Sequence, residues 1–268
     1  METSSNKFGL LYKVFGVIGL GLLIATFFLP TWWVALQSRQ YPKAMYPKGI
    51  RIEFKFDGVY NGCEGVMERE EITTNEGAEC LVEMNAINHY IGMYPIVQGA
   101  NTDASRPNPE YYVFNTQKDA EGNEIISTET GKPIEINVTP GYMMFLDGVL
   151  KNSKYIFILF GLSLLYFIAT PRKVNSFFAY LPGLVPFYFL FLFGYSMYWY
   201  GHHLGLHGGG AFNGIKPFMP TIFGEGKVAQ FGTVSYPYIG FGTAVLTFIS
   251  IFLAILMKKK SIALSKEA

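Results

Sequence analysis

Four long apolar stretches constrain this chain more than any other feature. A bilayer's hydrocarbon core is about 30 Å thick, and roughly 20 apolar helical residues cross it. Val14–Leu36 meets that length, with Gly16, Gly19 and Gly21 inside it and Trp32 and Trp33 at its end. Tyr155–Thr170 is shorter at 16 residues, and Val149 and Leu150 extend it. Phe177–Tyr200 carries Pro182 and Pro186, which a membrane helix tolerates as kinks. Tyr236–Met257 is the fourth. Charged residues are 15% of the 268, against about a quarter in soluble domains. That balance excludes a disordered chain and a soluble single-core enzyme. The expected fold class is an α-helical membrane protein with four transmembrane helices plus a small β-rich (α+β) extracytoplasmic domain.

Lys and Arg in short loops set orientation. Lys7 and Lys13 precede or open the first stretch, Arg172 and Lys173 join the second to the third, and Lys258, Lys259 and Lys260 follow the fourth. All three clusters share one side when both termini are cytoplasmic. The expectation is a multi-pass protein of the cytoplasmic (inner) membrane with its main domain in the periplasm. Pro30-Thr31-Trp32-Trp33 makes a poor signal-peptidase site, so the first stretch reads as an uncleaved anchor. The expected divisions are 1–36 (cytoplasmic start and first helix), 37–153 (extracytoplasmic domain) and 154–268 (three helices). The last includes an outer loop at 201–235, expected to pack irregularly on the membrane face or the outer domain, and a cytoplasmic tail.

Segment 37–153 holds 17 acidic against 10 basic residues, a surface that favours cations or simply keeps the domain soluble. Ile50–Phe56 alternates apolar and charged residues, the period of a half-buried strand. Asp57-Gly58 and Asn61-Gly62 are turn signals on either side of Val59-Tyr60. A helix is expected from Glu76 to about Asn88, further strands at Tyr111–Asn115 and Pro133–Val138, and a hairpin tip at Lys118–Thr130.

Two groups of residues point to chemistry. On a helix Cys80, Met84 and Asn88 share a face, His89 follows, and Met93 lies just past Gly92, which can turn the chain. Thioether, imidazole and thiolate are the soft donors that select copper, Cu(I) above all. Met84, His89 and Met93, with Cys63 and Cys80, are therefore candidate metal ligands. Each has an ordinary alternative. Met is a packing residue, a histidine is often structural, and two cysteines in an oxidising compartment pair as a disulfide. The second group is His202, His203 and His207, three of the chain's four histidines. It suits a metal or a haem at the membrane edge, although Gly201, Gly205 and Gly208–Gly210 argue for a metal-free loop. The chain lacks a nucleotide-binding glycine loop, a nucleophile elbow, a haem-attachment CxxCH and an HExxH motif. No basic-aromatic patch points to nucleic acid. Beyond the edge residue Lys13, the apolar stretches carry no ionisable residue that would drive ion-coupled transport. The chain is expected not to be an enzyme.

Glu83-Met84-Asn85-Ala86-Ile87-Asn88-His89-Tyr90-Ile91-Gly92-Met93-Tyr94-Pro95 resembles a stretch of uncharacterised multi-span bacterial membrane proteins encoded beside nitrous oxide reductase of the Sec-exported type. Pro217-Phe218-Met219-Pro220 and Ala229-Gln230-Phe231 are similar to the same group. The resemblance implies a copper context: an accessory protein that supports a periplasmic copper enzyme, with the bilayer and a periplasmic copper or redox protein as partners. Two alternatives stand beside it. One is an electron-transfer scaffold with haem or quinone near the histidine cluster, and the other a cofactor-free structural subunit.

Overall fold

The computed structural model describes residues 2–41, 43, 46–63, 79–100, 110–171, 175–204, 216–228 and 230–266, with side chains from residue 7 onward. Three helices are long and apolar enough to cross a membrane: α1 (Glu2–Phe28), α3 (Gly141–Ala169) and α6 (Ile239–Lys266). A bent pair, α4 (Ser176–Gly183) and α5 (Val185–His202), makes a fourth if it is one span. The pair bends by 43° beside Pro182 and Pro186, where missing or misplaced backbone bonds break the helix. These helices carry a small antiparallel sheet at one end, and the whole fits an α+β membrane protein.

Helices α1 and α6 lie side by side along most of their length. Glycine permits the closeness. A Cβ on Gly19 would stand 2.9 Å from Ile251 of α6, and one on Gly16 2.8 Å from Ile168 of α3. Thr26 donates to Thr243 (3.0 Å) and Ser250 to the Phe15 carbonyl (2.8 Å), so two polar side chains tie α1 to α6. At the end far from the sheet, Tyr12 and Lys258 donate to the last carbonyls of α3, Ile168 and Phe167. Those carbonyls have no helical partner, and a cation suits a helix C-terminus. Lys258, the first of the three lysines after the fourth apolar stretch, is fully buried as this cap and lies 4.0 Å above the Phe167 ring.

The first apolar stretch does not stay helical to Leu36. Helix α1 ends at Phe28, Pro30 interrupts it, and Trp32–Gln37 becomes strand β1. The sheet continues with β2 (Ile50–Phe54), β3 (Val59–Asn61), β6 (Gly224–Val228) and β7 (Phe231–Pro237), in the order β3-β2-β1-β7-β6. Strand β1 pairs with β7 from Trp32↔Pro237 to Gln37↔Gly232, so the α1–α6 pair runs on directly into a strand pair. The joint closes at Gly240, whose amide donates to the Pro30 carbonyl at 2.8 Å and whose Cβ would meet that carbonyl at 2.7 Å. Two expectations are thereby corrected. The expected outer loop 201–235 is not irregular throughout, because 224–228 and most of 231–237 are paired strand. The fourth apolar stretch becomes helix only at Ile239. The sheet thus draws strands from all three segments into which the sequence divides.

Helix α2 (Cys80–Ile91) packs across β2 and β3. It stops at Gly92, whose φ of 79° allows the Met93 amide to reach back to the Asn88 carbonyl at 2.7 Å. Strands β4 (Phe114–Thr116) and β5 (Glu135–Asn137) form a separate hairpin near the expected positions, with Lys118–Thr130 in its turns. Sheet, α2 and hairpin together form the cap. Below it, Tyr111 and Tyr112 of the cap both donate to Asp147, nearly two turns into α3, and Lys151 pairs with the same carboxylate at 3.0 Å. Burial raises the Tyr112 hydroxyl's pKa to about 12, helped by its hydrogen bond to Asp147 and that group's charge.

Candidate functional site: an apolar chamber under the cap

The inward face of β1 and β2 is apolar by strand alternation, presenting Val34, Leu36, Ile52 and Phe54. The buried face of α2 presents Met84, Ile87, Asn88 and Ile91. These surfaces do not close on the helices beneath them. They leave a chamber of about 460 Å³, floored and walled by α3 from Leu146 to Phe160 and by α5 from Val185 to Tyr200. That volume lies within the range of ordinary small-molecule sites, roughly 300–1,000 Å³.

Two close approaches hold the upper wall. Segment Met93–Val97 continues to Gly99, where φ is +65° and a Cβ would stand 2.6 Å from that of Leu150 in α3. Segment Phe218–Thr221 is tied to the end of α5 by the Phe218 amide donating to the Gly201 carbonyl at 3.0 Å. A Cβ on Gly201 would fall 2.0 Å from the Phe218 carbonyl oxygen. The turn after β2 drives Phe56 into the bundle, with its ring 4.8 Å from Phe157 and 5.5 Å from Phe189.

The chamber's side lies between α3 and α5, which do not pack along each other. They meet where Tyr142 bonds Ser196 (2.7 Å) and where the Phe160 and Tyr188 rings stack (6.0 Å). Those contacts are about 27 Å apart along α3 but only about 12 Å apart along α5, at 1.5 Å rise per residue. The chamber occupies the space left between those contacts.

The buried and half-buried hydroxyls along it are already paired. The Tyr200 hydroxyl donates to the Pro95 carbonyl (3.2 Å) and accepts from the Val97 amide (3.3 Å). Ser153 donates to the Leu150 carbonyl, and Thr221 and Thr233 bond each other, both at 2.7 Å. Lys55 is the one charged residue on the described wall. Its Nζ lies 4.5 Å over the Tyr60 ring, and the Tyr60 hydroxyl donates to Asp57 at 2.9 Å. Burial first, then the Asp57 bond and charge, push the Tyr60 pKa to about 12, so Tyr60 stays neutral.

The five expected metal ligands are not assembled into one site. Cys63 and Cys80 are joined as a disulfide, which removes both as thiolate donors. Met84 and Met93 are buried and both line the chamber, but in different packing clusters, since Gly92 swings Met93 off the α2 face. His89 is exposed. Among the described residues no group of three or more His, Cys, Asp or Glu is placed to hold a metal. His202 and His203 each fold back on their own helix. Each Nδ1 lies 2.8 Å from a carbonyl, Tyr198 and Trp199 respectively, and each ring stacks on that residue. A carbonyl only accepts, so both Nδ1 atoms carry the proton. Neighbours in a helix point about 100° apart, so the pair does not converge. His207 lies outside the described residues.

Sequence reasoning missed Lys55, Phe56 and Asp147. Lys55 and Phe56 read as the end of an alternating strand, and Asp147 as a surface acid before the second apolar stretch. The contact of Asp147 with Tyr111 and Tyr112 spans more than thirty residues, and no local signal reports it. No protein-family model, curated protein or solved structure matches the chain, and the chamber's own geometry carries the functional reading.

Proposed function

We propose that this is a membrane-anchored binding protein that draws one long apolar chain from the bilayer into the chamber beneath its cap. The observation that carries the reading is the chamber itself, apolar and walled in part by the membrane-length helix α3 and by α5. Apolar wall atoms exposed in an empty chamber would cost free energy that a hydrocarbon occupant removes. The role is binding rather than catalysis. We place the cap on the extracytoplasmic side. The Cys63–Cys80 disulfide supports this, since such bonds persist in oxidising compartments, as does the lysine-rich opposite end of the bundle. A reporter active only in the periplasm should work when fused at Asn115 and fail at Thr170, and the reverse result rejects the placement.

The binding reading is tested by extracting lipid from the purified chain and identifying it by mass spectrometry, with Leu192→Trp as the blocking variant. Leu192 lies on α5 between the two contacts with α3 and lines the chamber. The wild type should retain a long-chain molecule that Leu192→Trp loses. Equal lipid in both, or none in either, rejects the reading. A second reading is support of a periplasmic copper enzyme, as the resemblance implies. It is favoured by the thioethers of Met84, Met93 and Met197, which all belong to residues lining the chamber. Copper by elemental analysis, lost in a triple Met→Leu variant, would support it; copper at background rejects it.

A further inference from the structure

Resting on the chamber reading, we infer that the occupant is an uncharged amphiphile whose head both donates and accepts a hydrogen bond, as a hydroxyl does, and that the Asn88 carboxamide receives that head. A chain that leaves a bilayer for this chamber gains little hydrophobic energy, because lipid tails are as apolar as the chamber's side chains. Selection must then come from the polar end of the ligand. The hydroxyls of Tyr200, Ser196, Ser153, Thr221 and Thr233 are engaged with protein partners, so they offer a head group little.

Asn88 differs from them. It lines the chamber, is only 7% exposed, and its side chain makes no hydrogen bond. It is the one buried polar side chain on the described wall in that state. Its position on α2 aims it inward. At 100° per residue Asn88 lies about 40° from Met84 and about 20° from Leu81 around the helix, and both of those flanking residues are buried. The exposed face of α2, with Val82, Ala86, His89 and Tyr90, lies on the other side. The carboxamide is also not among the unpartnered polar atoms sealed from all open space, which belong to Thr31, Arg51, Asp57 and Ser176. The space its free atoms reach is therefore the chamber. Along α2 it stands between two packing clusters: Met84 and Ile87 join Phe189 and Phe193, whereas Ile91 joins Leu146 and Leu150. A head held there leaves the chain to run along Phe157, Phe160 and Val185.

The chemistry of the head follows from what surrounds it. A carboxamide offers both N–H donors and a carbonyl acceptor, and a hydroxyl answers both. A charged head would be buried without a counter-charge, which is costly. Lys55, the one charged residue on the described wall, holds its ammonium over the Tyr60 ring, and Tyr60 does not line the chamber.

The test uses the full chain in phosphatidylcholine nanodiscs and two fluorescent probes with the same chain: cis-parinaryl alcohol and its methyl ether, whose oxygen only accepts. Affinities are referred to the probe concentration in the bilayer. The alcohol should bind about tenfold more tightly than the ether, because the ether leaves the Asn88 carbonyl oxygen buried and unpaired. Asn88→Leu, close in size, should bring that ratio near one. Reading a ratio within each form separates lost selectivity from lost folding, and the wild-type ratio is a test in itself if the variant does not fold. Ionised cis-parinaric acid should bind more weakly than the alcohol, and tighter binding of the acid overturns the inference. Equal binding of alcohol and ether, which a water held on Asn88 would give, or a ratio that Asn88→Leu leaves unchanged, also overturns it while the chamber reading stands. If no probe binds any form of the protein, the chamber reading falls and this inference with it.

Discussion

Removing the Cys63–Cys80 bond should loosen the wall of the chamber that α2 supplies. The bond joins the turn after β3 to the first residue of α2, 17 positions apart. In the chain-entropy model, closing a loop of that size stabilises the folded state by about 3 kcal/mol. At about 2–4 °C per kcal/mol for a chain of this size, the melting temperature should fall by roughly 6–12 °C. Cys63→Ala with Cys80→Ala is the suitable variant, because Cys80 is fully buried and serine would bury an unpaired hydroxyl. A second clamp shares the load. The Asn61 side-chain oxygen accepts from the amides of both Cys63 and Cys80, each at 3.1 Å. Asn61→Ala should therefore cost about 1–2 kcal/mol, and more in the cysteine-free background, where the disulfide no longer shares the load. Thermal unfolding followed by tryptophan fluorescence reports on it directly, since Trp32 and Trp33 lie in the same sheet. A fall below about 2 °C for the double variant, or strict additivity with Asn61→Ala, would refute the argument.

Three further outcomes follow from single contacts. Ser235→Ala removes the acceptor of the buried Trp32 indole N–H (2.9 Å) and should cost about 1–3 kcal/mol, read as a lower melting temperature. Asp147→Asn should lower the Tyr112 pKa from about 12 toward its ordinary 10.0, seen in an alkaline absorbance titration of tyrosinate. Because that folded-state pKa is raised, the stabilisation is complete below about pH 10 and is lost as pH climbs toward 12. Gly201→Ala forces a methyl group against the Phe218 carbonyl oxygen, and should cost about 1–3 kcal/mol and weaken binding of the long-chain molecule retained by the purified chain. Unchanged binding would show that segment 218–221 does not shape the chamber.

Membrane-crossing potential was legible because it is a local property: a long apolar run records it without reference to anything distant. The strand at Ile50–Phe54, the turns around Val59 and the hairpin near 114–137 were legible for the same reason, through alternation and turn residues. The cysteine pairing was legible only as the default for two thiols in an oxidising compartment. Trp32–Gln37 was misread because hydrophobicity measures burial and not backbone conformation. An apolar strand in a sheet looks like the end of a membrane helix until Pro30 is weighed. Strand β7 escaped for a related reason, since one of its two partners, β1, is about two hundred residues away and its own residues sit beside an apolar run.

The candidate site was almost wholly illegible. The spacing of Met84, His89 and Met93 suggested convergence, but helix geometry exposes His89 while Gly92 turns Met93 onto a different wall. A chamber has no sequence signature, because it is the space that remains when strands and helices from distant parts of the chain pack imperfectly. The sequence by itself determined that apolar helices of membrane-crossing length carry a polar, partly β-structured segment. Tertiary structure alone decided that α1 and α6 continue into paired strands and that a chamber remains between the cap and helices α3 and α5. The physical reason is that helix packing and strand pairing depend on contacts between distant residues, such as Tyr142 with Ser196 and Trp32 with Ser235, which no local pattern encodes.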